Sequence, residues 1–65
     1  MKRYLFELHC VTVTNYHHEM FECNADAQER ARKILTEAKR DTNAFMISVY
    51  GKNNVGDWKH IISYQ

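Results

Sequence analysis

The segment from His9 to Cys23 reads HCVTVTNYHHEMFEC and gathers both cysteines and three of the four histidines of a 65-residue chain. Thiolates and imidazoles are the usual ligands of tetrahedral zinc, and a thiolate beside an oriented imidazole is a nucleophile pair. The spacing favours neither chemistry. There is no C-x-x-C and no H-x-x-x-H. Strand alternation sends Cys10 and Cys23 to one face of a sheet and His9 and His18 to the other, so the four cannot surround one ion. A surface pair such as His9 with His18 or Glu22 offers at most weak metal binding. His9 and Cys10 are strand neighbours and point apart, and nothing in the chain requires His17 or His60 to approach a cysteine. Glu19 and Glu22 fall on different faces, and the two glycines are too far apart to form a phosphate loop. No catalytic residue, cofactor site or structural metal is expected. Cys10 and Cys23 are expected as core thiols, which behave as small hydrophobes, and not as a disulfide.

The elements that carry these residues follow from hydrophobic periodicity. Residues 4–13, YLFELHCVTV, alternate as a strand, with Tyr4, Phe6, Leu8 and Cys10 on one face and Leu5, Glu7, His9, Val11 and Val13 on the other. A turn near TNYH leads to a second strand over 18–23. Its expected register sets Val13 opposite His18, Val11 beside Met20, Cys10 beside Phe21 and His9 beside Glu22. Residues 26–40, DAQERARKILTEAKR, read as a helix. Asp26 stands as its cap with Glu29 three residues on, and Ala27, Ala31, Ile34, Leu35 and Ala38 form its apolar stripe. A third strand spans 44–50, with Phe45, Ile47 and Val49 inward. The turn GKNNVG follows, then a fourth strand over 57–64 with Trp58 and Ile62 inward.

The expected fold is α+β with order ββαββ: a four-stranded antiparallel sheet, strand order 2-1-3-4, and one helix packed on one face. Residues 1–65 are expected as one small domain. A chain of this length buries only about 60% of the surface its unfolded form exposes, so its margin of stability is thin. A hydrophobic share of 45% is enough for a core and argues against disorder. The net charge of +1 is too small to argue by itself for a polyanionic partner. No apolar run approaches the length of a membrane span, and Glu7 and His9 interrupt the apolar N-terminal stretch, so a cytoplasmic protein is expected.

One helix covers one sheet face. Leu5, Val11, Val13, Met20, Met46 and Tyr50 lie on the other, and monomers rarely leave such a patch in water. They are the expected interface, for a second copy of the chain in a homodimer or for a foreign protein complex. The alternative is a small nucleic-acid-binding protein that uses the helix cations Arg30, Arg32, Lys33, Lys39 and Arg40 with Tyr50, Trp58 and Tyr64 as stacking faces. Against it, Asp26, Glu29, Glu37 and Asp41 interleave with those cations.

The pieces MKRYLFEL, FECNADAQERARKIL and FMISVY, with the A-x-x-x-A-R-K pattern in the second, resemble in layout small phage and mobile-element proteins that inhibit bacterial defence, in particular short anti-CRISPR proteins of type I systems. The resemblance implies a phage-encoded stoichiometric inhibitor without catalysis that docks on a large nucleoprotein complex. It fixes no individual contact residue. The expected function is therefore a non-enzymatic protein-binding module.

Overall fold

A computed structural model describes residues 1–65. Strands β1 (Lys2–Cys10) and β2 (Thr14–Phe21) form a hairpin, helix α1 (Asn24–Asp41) follows, and β3 (Ala44–Lys52) and β4 (Trp58–Tyr64) close the chain. The sheet is antiparallel in the order β2-β1-β3-β4, and α1 packs across one face, mainly over β3. This is the expected α+β layout.

Alternation along β1 and β3 builds the covered face. Tyr4, Phe6, Ile47 and Val49 are fully buried there, and Ala27, Ala31 and Leu35 press onto them from the helix. The two alanines let the helix backbone approach closely, which a longer side chain on that stripe would prevent. The helix begins earlier than the sequence suggested. Cys23 is its cap residue and makes no side-chain capping bond, while Asp26 lies in the first turn, where the helix dipole favours its charge. At the other end Thr42 seals the helix, its N–H and its hydroxyl both donating to the Ala38 carbonyl at 2.7 Å. The same hydroxyl accepts from the Ala44 N–H at 3.2 Å and so starts β3 directly from the helix end.

The hairpin register differs from expectation. β1 stops at Cys10, the connection is Val11–Val13, and His9 pairs with Thr14 and Phe6 with His17. Cys10 donates its N–H to the Val13 carbonyl at 2.9 Å, a tight closure that leaves TNYH inside β2. The slide is an even number of residues, so every β2 side chain keeps its expected face although its neighbours change. Val11 and Met20, expected side by side, lie at opposite ends of the hairpin. Cys23, expected beneath the helix, is exposed, and both thiols are free.

Two bulges break the alternation of the second hairpin. His9 pairs with Met46 and Cys10 with Ala44, so Phe45 is the extra residue. Val49 pairs with Ile62 and Tyr50 with His60, so Ile61 is the extra residue on β4. A bulge turns consecutive side chains toward one side of a sheet. Ile61 and Ile62 both pack on the covered core, and Phe45 turns the other way. Trp58 pairs with Lys52 on the open face, not inward as its sequence position suggested.

Candidate functional site

The uncovered face of the sheet is the candidate site, and the side chains on it fall into three zones along the strands. The first lies at the β1–β2 turn. The bulge brings Phe45 to this face, with its ring centroid 6.3 Å from that of His9. Phe45 is 48% exposed, and Val11 and Val13 in the neighbouring turn are 73% and 51% exposed. The Val11 N–H donates to the Asn43 carbonyl at 3.3 Å, which ties that turn to the start of β3. Met46 pairs with His9 and is half-buried, with the Gln65 amide 3.9 Å from its sulfur.

The second zone, at the centre, is polar. Tyr50 donates its hydroxyl proton to Glu7 Oε1 at 3.0 Å, and His9 Nε2 lies 3.2 Å from the same oxygen. Burial raises the Tyr50 pKa, and the hydrogen bond and charge of Glu7, with a smaller charge effect from Tyr16, raise it further. On β3 and β4, Ser48 Oγ and Ser63 Oγ are 2.8 Å apart, and His60 Nε2 is 2.8 Å from Ser63 Oγ. No buried side-chain polar atom lacks a hydrogen-bond partner. Glu7, His9 and Tyr50 line none of the four surface depressions.

The third zone lies at the opposite end. Leu5 pairs with Tyr50 and with His18, and the His18 ring lies 5.6 Å from Trp58. Lys52 Nζ sits 5.5 Å from the Trp58 ring centroid. Met20 stands opposite Arg3 near the outer end of β2, and it lines a separate depression beside Met1.

Of the six expected interface residues, the structure places Val11, Val13 and Met46 at the same end of the sheet and pairs Leu5 with Tyr50 further along. Met20 stands apart from both. Phe45 and Trp58, which sequence reasoning turned inward, belong to the open face. Alternation alone could not place them, because each lies at or close to a bulge.

The helix cations are largely engaged. Arg30 Nε is 3.4 Å from Glu19 Oε2, and Lys33 Nζ is 3.6 Å from Glu29 Oε1. Arg32 lies over the Tyr64 ring at 5.4 Å and donates to its hydroxyl at 3.0 Å. Lys39 and Arg40 in the last turn make no ion pair. His17 faces the helix side with Glu19 Oε1 at 3.0 Å, while His9, His18 and His60 face the open side. No group of three or more His, Cys, Asp or Glu side chains converges as metal ligands would.

The chain matches no protein-family model, no curated protein and no solved structure.

Proposed function

We propose that the protein is a non-catalytic binding module that docks a partner protein through the open face of its sheet. The observation that carries this reading is the bulge at Phe45. It takes a large aromatic side chain out of reach of the core and sets it against His9, with Met46, at the same end of the sheet as the exposed Val11 and Val13. A folded chain with so thin a margin gains nothing in isolation by turning an aromatic outward. An aromatic and a methionine on the surface are what protein interfaces use as anchors.

The polar centre built on Glu7, Tyr50 and His9 favours a foreign partner over a permanent homodimer. Obligate self-interfaces resemble a divided hydrophobic core, whereas interfaces between independently folded proteins are about as polar as the rest of the surface. The resemblance to type I anti-CRISPR proteins extends the reading to a stoichiometric inhibitor, encoded by a phage or mobile element, of a bacterial defence complex. Sedimentation of the chain alone and mixed with a purified type I surveillance complex tests it. The chain should run as a monomer at micromolar concentration and co-sediment with the complex at a fixed ratio. A dimer that Phe45→Asp dissociates would make the open face a self-interface instead. A monomer that binds no such complex would remove the inhibitor reading.

A further inference from the structure

The four strands carry two carboxylates, and they lie on opposite faces of the sheet. Glu19 is on the helix side with His17 and Arg30 against it. Glu7 is on the open face, and no lysine or arginine reaches it. Its Oε1 is held by the Tyr50 hydroxyl at 3.0 Å and lies 3.2 Å from His9 Nε2. Its Oε2 has no protein partner, and since no buried polar atom lacks one, Oε2 is open to solvent. The side chain as a whole is only 21% exposed. Directly opposite on β2 stands Tyr16, which is 62% exposed and close enough to Tyr50 for its charge to act on that hydroxyl.

Glu7 lies two residues from His9, the neighbour of Phe45 and Met46, which is about 7 Å along the strand. An interface between folded proteins covers about 800 Å² on each side, so a partner seated on Phe45 covers Glu7 as well. A carboxylate taken out of water with one oxygen unpartnered opposes binding strongly. The partner must therefore supply a donor at Oε2, and a charged one.

We infer, on the docking reading above, that the partner presents an arginine here, its guanidinium donating to Glu7 Oε2 and lying on the Tyr16 ring. Tyr16 selects arginine over lysine. A guanidinium is planar and weakly hydrated, and it stacks on an aromatic face while its N–H groups engage a carboxylate; an ammonium is a compact, strongly hydrated point charge. Tyr50 and His9 hold the carboxylate before the partner arrives, so little ordering is required on contact. Further along the same face Arg3 and Lys52 carry the opposite charge, which keeps the arginine-bearing part of the partner at Glu7 and fixes its orientation.

N-acetyl-arginine amide tests this site without the partner. Followed by amide NMR, it should shift the resonances of Glu7, Tyr16 and Tyr50 saturably in the millimolar range, and N-acetyl-lysine amide should bind distinctly more weakly. Glu7→Gln keeps the shape and an acceptor for Tyr50, and should weaken arginine binding by about tenfold or more. Tyr16→Ala should remove the preference for arginine over lysine; this position is exposed, so the truncation leaves the fold intact even where Glu7→Gln does not. Phe45→Ala, which removes the docking anchor, should leave arginine binding within about twofold. The same spectra show whether each variant is folded. No saturable shift at the three residues would overturn the inference and leave docking through Phe45 to its own test. Equal binding of the arginine and lysine probes, or of arginine to parent and Glu7→Gln, would also overturn it. A parent dimer that both Glu7→Gln and Arg3→Glu dissociate would assign the arginine to a second copy of the chain and overturn the foreign partner.

Discussion

Phe45 lies against His9 on the open face of the sheet, ring centroids 6.3 Å apart, although strict alternation from Ile47 and Val49 would put it under the helix. The difference is one unpaired residue between Ala44 and Met46. It converts a core position into a surface one, and its energetic consequence can be measured. Phe45→Ala should cost about 1 kcal/mol or less, since much of the side chain is already in water. Ile47→Ala, two residues on and fully buried, should cost about 2–5 kcal/mol. Urea unfolding of the two variants checks the bulge. Similar losses would mean that Phe45 is part of the core.

The second bulge makes its own prediction through Gly51. Its missing side chain accommodates Ile61, which the bulge turns onto the covered face. Gly51→Ala should be tolerated, because the close atom is the far end of the Ile61 side chain and can yield by a few tenths of an ångström. Gly51→Val should overpack the site and cost about 1–3 kcal/mol despite the better strand propensity of valine. A valine variant as stable as the parent would contradict the placement of Ile61.

The Tyr50–Glu7 bond gives a pH dependence with a definite sign. The Tyr50 pKa is raised above the ordinary value of 10.0, by burial first and then by Glu7. The folded state therefore holds the phenolic proton more tightly than the unfolded chain does. This contribution is fully present below pH 10 and is lost as the pH rises through the folded value. Tyr4 behaves alike: burial raises its pKa, and negative charge on Cys23 and Asp26 adds to the effect. Stability should decline above pH 10, and Tyr50→Phe should make that decline shallower. Urea midpoints measured across that range decide it, and identical slopes for parent and variant would show that Tyr50 does not contribute.

Tyr4 also fastens the start of the helix to the sheet, its hydroxyl donating to Asn24 Oδ1 at 2.7 Å. Tyr4→Phe keeps the ring in the core and removes only this bond. The expected cost is about 0.5–1.5 kcal/mol, with amide exchange increasing first around residues 24–27. Unchanged exchange there would mean that the bond does not hold the helix end.

The strand order, the helix stripe and the faces of β1 and β2 were legible because they rest on periodicity, which a hydrophobic core imposes directly. The β1–β2 register was not. Asn15 is the strongest turn former in this region and points to a turn at TNYH, but the chain turns earlier, in a short connection closed by Cys10 and Val13 that no local propensity singles out. The two bulges were hidden for a related reason. AFM and HIIS are apolar or ambiguous on consecutive positions, and only pairing with β1 and β3 selects which residue is extra. The cluster of cations at one end of the sheet was legible in principle. Lys2, Arg3, Lys52 and Lys59 are far apart along the chain, but the order 2-1-3-4 alone brings their strand ends together. The polar network of Glu7, His9 and Tyr50 required side-chain geometry that sequence spacing does not supply.

The most direct test of docking through the open face is quantitative affinity capture from a cell lysate, with three immobilised forms compared side by side. These are the parent, Phe45→Asp, and the helix variant Lys39→Glu with Arg40→Glu. The account predicts that a partner protein retained in stoichiometric amount by the parent is retained equally by the helix variant and is lost with Phe45→Asp. Retention of the same proteins by the parent and Phe45→Asp, or loss confined to the helix variant, would contradict it.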